Sequence, residues 1–138
     1  MSCLLDTHVL IWAIADDRRL GAAARAAIEE ATQTDRAAVS AITPWEIALL
    51  VEKGRLRLGR EVQSWIDAAL ALPGLVLAPI EPAIAIDSVR LPGDFHADPA
   101  DRFIVSTARH LDAPLVTADS AILSYSAAGH VRALKASV

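Results

Sequence analysis

The stretch from His96 to Asp119 constrains the fold more than any other part of the chain. Asp98 stands where a helix N-cap belongs, Pro99 suits the first helical position, and Asp101 falls in the first turn. From Phe103 onward, Ile104, Thr107, Ala108 and Leu111 recur at helical spacing, which predicts a helix over 99–111. A short apolar run, Leu115-Val116-Thr117, follows and ends on another acid, Asp119. The unit reads acid, helix, strand, acid. Strands joined by helices in this way pair in parallel, because a parallel pair needs a long crossover.

The rest of the chain repeats the alternation. Residues 2–5 are short and apolar and end at Asp6, and 7–16 carry the broad apolar face of a helix. A polar break at 16–19 precedes an alanine-rich helix over 21–34. Residues 36–40 form a second candidate strand. Thr43, Pro44 and Glu46 then have the form of a capping box, predicting a helix from Pro44 to Lys53 that stops at Gly54. An amphipathic helix over 60–72 ends at Pro73-Gly74. A third strand over 75–80 and a short helix over 81–89 follow. After the central unit come a short helix from Asp119 to about Ser124 and a weak strand near 130–134. No repeat or linker divides the sequence. The expectation is one domain over 1–138, an α/β fold with three layers, α/β/α, around a central mainly parallel sheet.

Four acids share an address in this scheme. Asp6 and Asp119 follow strands, Glu46 follows the second strand after a short turn, and Asp101 opens the long helix. In an open parallel sheet, the carboxyl ends of strands and the N-termini of the following helices line one edge, where ligands bind. Singly, each acid is more economically a cap, half of a capping box, or a complement to the helix dipole. Together they cannot stay ionised and uncompensated, since two carboxylates 4 Å apart repel by about 4 kcal/mol at an effective dielectric near 20. A converging set must be protonated, paired with cations or filled with metal. Such hard oxygen ligands suit Mg2+ or Mn2+.

The ordered motifs Leu4-Leu5-Asp6-Thr7-His8, Val39 to Ala48 with Thr43-Pro44-Trp45-Glu46 inside it, Leu91-Pro92, His96-x-Asp98-Pro99-x-Asp101-Arg102, and Leu115-Val116-Thr117-Ala118-Asp119 resemble those of PIN-domain ribonucleases of the VapC toxin type. The resemblance covers nearly the whole chain. It implies an acidic pocket for one or two Mg2+ or Mn2+ ions, held by Asp6, Glu46, Asp101 and Asp119 as both catalytic and metal-binding residues. Thr117 would offer a hydroxyl beside the pocket. Asp98 would cap and shape its helix, and Arg102 would either pair with an acid or contact phosphate. The sequence departs from the subgroup at Ala97, where a basic residue is frequent, and at Ala100, where an aromatic is frequent. The implied activity is metal-dependent hydrolysis of an RNA phosphodiester by an activated water. The implied partners are an RNA substrate, a VapB-type antitoxin and a second copy in a homodimer.

Composition bears on this reading at three points. The net charge of −4 is the wrong sign for gripping nucleic acid by bulk electrostatics, so a local basic patch or bound metal is required. Arg18, Arg19, Arg102 and Arg109 are the candidates for a basic rim. Cys3, the one cysteine, excludes an internal disulfide and a cysteine zinc site. The hydrophobic fraction of 54% exceeds the usual roughly 45–50%. No run reaches the roughly 18 apolar residues of a membrane helix, so the surplus points to a protein partner. With no basic, apolar leader at the N-terminus, a cytoplasmic location without membrane association is expected. Trp12, Trp45 and Trp65 lie in helical apolar patterns and are expected in the core, and His8 and His96 are expected as polar packing residues.

Three rivals remain at this stage. A receiver-like domain would want paired acids after the first strand and a lysine after a late one. Asp6 has no adjacent acid, and Lys135 is the fourth residue from the end. A catalytically silent PIN-like interaction module fits the motifs but not the intact acids. A DNA-directed or structure-specific nuclease would use the same metal chemistry, since nothing in the sequence reads a 2′-hydroxyl.

Overall fold

The computed structural model describes residues 1–138. Five strands, β1 (Cys3–Leu5), β2 (Ala37–Ser40), β3 (Leu75–Ala78), β4 (Leu115–Thr117) and β5 (Ala133–Lys135), form one sheet in the order β3-β2-β1-β4-β5. Every pair is parallel. Seven helices connect and cover it: α1 (Thr7–Ala15), α2 (Ala22–Thr32), α3 (Ile42–Glu52), α4 (Val62–Leu70), α5 (Pro82–Val89), α6 (Pro99–Leu111) and α7 (Ser120–Ala127). The chain builds outward from β1 to β3, then returns to place β4 on the other side of β1. The strand order therefore reverses between β1 and β4, where the connections diverge and leave a crevice at the carboxyl edge.

The three central strands, β1, β2 and β4, are buried on both faces, which is why they are almost wholly apolar, while the edge strands β3 and β5 are partly exposed. Successive side chains alternate between two cores. Cys3, Leu5, Ala37, Val39 and Val116 pack on one side with Val9, Leu10, Trp12, Ile28, Trp65 and Ile66. Leu4, Ala38 and Leu115 pack on the other with Ile104, Val105, Ile122 and Tyr125. This is the expected three-layer arrangement, with the sheet parallel throughout.

Local chemistry sets the boundaries that differ from expectation. Helix α3 begins at Ile42, two residues before the expected start, with Ala41 at the cap and no side-chain cap bond. The Ser40 hydroxyl accepts the Ile42 N–H at 3.2 Å, so the turn is organised upstream of Thr43. Thr43 instead bonds the Thr7 hydroxyl at 3.0 Å, and the expected capping box with Glu46 does not form. Strand β3 ends at Ala78, before Pro79, which has no N–H to donate. Helix α4 is shorter than expected, with Glu61 capping it through both carboxylate oxygens. Helix α7 runs on to Ala127, and β5 lies at Ala133–Lys135 instead of 130–134.

Gly74 fixes the entry to β3. Its φ is 84°, and a Cβ there would lie 2.0 Å from the Thr32 carbonyl oxygen at the end of α2. Trp12 and Trp65 are buried as expected, but Trp45 is 47% exposed. Helix α3 is apolar nearly all round, so its sequence selects no single inward face; the structure buries Thr43 and Ile47 instead.

Candidate metal centre

β1 and β4 are neighbours, with Leu5 opposite Val116, so the residues that follow them meet at the crevice. Asp6 caps α1. Its Oδ1 accepts the Thr7 N–H at 2.8 Å and its Oδ2 accepts the Thr117 hydroxyl at 2.6 Å. The same hydroxyl oxygen accepts the Asp119 N–H at 3.0 Å, and Asp119 caps α7 through the Ile122 N–H at 2.9 Å. Asp98 caps α6 by accepting the Asp101 N–H at 3.1 Å. Three of the acids are thus real caps, and capping is what aims them at one place.

That place holds two overlapping sets of donors. Oxygens of Glu46, Asp98 and Asp101 lie within 4.8 Å of one another, as do donor atoms of His96, Asp101 and Asp119. Asp101 belongs to both. Asp6 stands beside them in the buried floor and adds its charge. The structure therefore brings together Asp6, Glu46, Asp101 and Asp119, with Asp98 and Thr117 among them.

Electrostatics mark the cluster as strained without a cation. Burial, then the charges of Asp6, Asp98, Asp119 and Glu46, push the Asp101 carboxyl up to about 8. Burial also raises Asp6, against the lowering effect of the bonds from Thr117 and Thr7. Glu46 is raised by burial first and by Asp6 and Asp98 next, while the Thr7 hydroxyl opposes the rise. No lysine or arginine forms an ion pair with any of them; His96 Nε2 lies 3.2 Å from Asp101 Oδ2, and His8 stands near enough to lower Asp6 and Glu46. A dense set of carboxyl oxygens with no compensating cation has the donor chemistry that Mg2+ or Mn2+ requires, so the residues fit such an ion.

Arg102 pairs with no acid. Its guanidinium donates to the carbonyls of Ser88 at 2.8 Å, Phe95 at 2.9 Å, His96 at 3.0 Å and Val89 at 3.4 Å. It clamps the loop before α6. This places His96, whose ring stacks on Phe95 with centroids 4.4 Å apart and whose Nδ1 accepts the Asp98 N–H at 3.2 Å. With Nδ1 an acceptor, Nε2 carries the proton and is oriented toward Asp101. The polar-packing expectation for His96 missed this; the two-residue step from His96 to the cap at Asp98 was its only sequence signal.

The expected arginine rim also dissolves. Arg19 pairs with Asp17 at 2.8 Å and lies over Trp12, beyond the far end of α1. Arg109 donates to the His130 carbonyl in the last turn of α6, about 12 Å along the helix from Asp101. It lines the largest cavity, about 700 Å³, which lies at that end of α6 and away from the acids. Basic groups near the acids come from elsewhere. Lys53 and Arg55 share a hollow of about 190 Å³ with Glu46, Asp98 and Trp45.

An open parallel sheet with an acidic cluster at its reversal point defines the architectural class, and the family model described as "PIN domain" matches residues 3–127. The chain belongs to the PIN-domain family, and its likeness to known proteins lies on the VapC side of it. It is 41% identical over 122 residues to "Ribonuclease VapC22" of Mycobacterium tuberculosis, covering 88% of this chain and 90% of that protein. The fold matches VapBC2 of Rickettsia felis, solved bound to a promoter DNA fragment, with a TM-score of 0.69 at 19% identity over 97% of this chain and 98% of that one. It matches FitAcB of Neisseria gonorrhoeae with a TM-score of 0.61 at 23% identity over 96% of each chain. No helix is long and apolar enough to cross a membrane.

Proposed function

We propose that this protein is a VapC-type endoribonuclease that depends on Mg2+ or Mn2+ and is neutralised by a VapB-type antitoxin in the cytoplasm. The observation that carries the reading is the convergence of Asp6, Glu46, Asp101 and Asp119 on one crevice with no compensating lysine or arginine. The likeness to a protein named as a ribonuclease supports RNA as substrate.

Asp101, in both donor sets, would hold the ion together with Glu46 and Asp119, and Asp6 would complete the charge. A bound divalent cation supplies Lewis acidity, lowering the pKa of water and offsetting charge on a phosphoryl group. Thr117 fixes the Asp6 carboxylate and ties the Asp119 backbone to it. Asp98 holds the first turn of α6, and with it Asp101, in register. The hydroxyls at the site are engaged, Thr117 with Asp6 and Thr7 with Thr43, and water is the nucleophile in this reading. Lys53 and Arg55 provide local positive charge on a chain of net charge −4.

Two apolar surfaces support the protein partners. Leu10, Ala13, Ile14, Leu72 and Pro73 line a cleft of about 220 Å³ suited to apolar side chains of an antitoxin. Ile86 and Val89 on α5 are exposed and suit a second copy of the chain.

The test incubates pure protein with labelled RNA and DNA in Mg2+, Mn2+ or EDTA, beside Asp6→Asn and Asp101→Asn. RNA cleavage that needs the metal and is lost in both variants is the expected result. Cleavage that survives EDTA or either substitution sinks the assignment, and a preference for DNA redirects the substrate.

A further inference from the structure

The hollow beside the acidic cluster has a composition that metal binding does not explain. We propose that it is a nucleotide subsite for single-stranded RNA, in which Trp45 stacks on a base while Lys53 and Arg55 take the flanking phosphates. The inference rests on the nuclease reading and names where its substrate lies.

Trp45 precedes Glu46 on α3 and leaves 47% of its surface in water, unlike Trp12 and Trp65 at 9% each. Trp45, Leu49 and Lys53 recur every four residues and form one stripe along α3, with Glu46 and Leu50 beside it. The stripe thus runs from an indole next to the acids to a cation about 12 Å away. Lys53 and Arg55 flank the turn at Gly54, are exposed, and pair with no acid. The opposite wall is Asp98, Pro99 and Ala100 at the start of α6. Ala100 has the smallest side chain a helix start can carry without glycine, which leaves room against α3. The volume of about 190 Å³ suits one flat ring system and not a helix or a folded partner.

An exposed indole flanked by unpaired cations is the combination by which proteins hold single strands: π-faces for bases and positive charge for the backbone. An apolar peptide would use the indole and leave the cations idle. An acidic peptide would use the cations but meet Glu46 and Asp98 in the same hollow. A nucleotide uses the indole and both cations, and its phosphate would also face a cation that the acids would hold.

The experiment uses a mixed-sequence single-stranded RNA octamer. Tryptophan fluorescence is titrated with the octamer in Ca2+ buffer, and steady-state cleavage in Mn2+ is measured in parallel. The wild type is expected to show saturable quenching. Trp45→Phe removes the quenching, because Trp12 and Trp65 are buried, yet keeps most of the affinity. Trp45→Ala raises KM about 5–100-fold, and Lys53→Ala with Arg55→Ala flattens the salt dependence of binding. Mn2+ affinity by calorimetry stays within about twofold of wild type in Trp45→Ala. An unchanged KM in Trp45→Ala and an unchanged salt dependence in Lys53→Ala with Arg55→Ala, with wild-type cleavage intact, overturn the subsite and leave the nuclease reading standing. A protein segment seated in the hollow would give that result. Quenching by the octamer without any cleavage supports the subsite and sinks the nuclease.

Discussion

Asp101→Asn is expected to stabilise the metal-free protein and to destabilise it, relative to wild type, once Mg2+ is present. The folded state raises the Asp101 carboxyl from 3.8 to about 8, through burial and four neighbouring acids. Between those values the folded chain holds a proton that the unfolded chain has released. Stability from this group is therefore full below about pH 4 and is lost as pH rises through about 8. At 1.36 kcal/mol per unit, the full window sets a ceiling of about 6 kcal/mol. Carboxylates that rotate apart and admit water relieve part of it, so about 1–3 kcal/mol is the expected gain for the neutral amide at pH 8. For a chain of this length that is a Tm increase of roughly 3–9 °C. The increase should shrink steeply toward pH 4, where the unfolded chain also begins to hold the proton. Mg2+ at a hundred times its Kd stabilises the wild type by about 2.7 kcal/mol and the variant, which lacks the shared ligand, by much less. The assay is thermal unfolding by circular dichroism from pH 4 to 8.5, in EDTA and in Mg2+. A variant that melts lower than wild type at pH 8 in EDTA, or a difference that does not change with pH, would refute the electrostatic account of the cluster.

Other substitutions probe the supports of the site. Thr117→Val removes the donor to Asp6 and the acceptor for the Asp119 N–H; a loss of about 1–3 kcal/mol in urea unfolding is expected, with Thr117→Ser losing less. Arg102→Lys cannot serve the four carbonyls; limited proteolysis should cut within 90–98 faster than in wild type, and equal rates would discount the clamp. His96→Ala should weaken Mn2+ binding about 10–100-fold by releasing Asp101, and His96→Gln should recover much of it; calorimetry on both decides. Gly74→Ala, at φ 84° and against the Thr32 carbonyl, should cost more than about 2 kcal/mol, and a neutral result would show that the β3 entry can shift.

The order of strands and helices was legible because each strand is a short apolar run bounded by helix-start chemistry. Asp6, Asp98 and Asp119 could be placed at helix starts because a cap is a local signal. Which edge they share also followed, since parallel strands put every such cap on one side. What escaped was settled by contacts between distant segments. The start of α3 was misplaced because Thr43 satisfies the Thr7 hydroxyl and not its own helix, and no local pattern records that choice. Trp45 was misassigned because α3 is apolar on all sides, and only packing decides which face is wet. The clamp made by Arg102 escaped notice because its partners are backbone carbonyls, which every residue possesses and no sequence can single out.

The hydroxyl of Thr117 meets the carboxylate of Asp6 across 111 positions of sequence. A chain made from its N-terminus carries Asp6 and Glu46 into solution long before Asp101 and Asp119 exist. Neither β1 nor β2 can complete its core until β4 arrives to flank β1 on the other side. Such non-local pairing forms late, because the loop must close before the contacts are made. Nascent and truncated chains therefore lack half the donor set. The site is therefore incomplete until β4 and the start of α7 have been made.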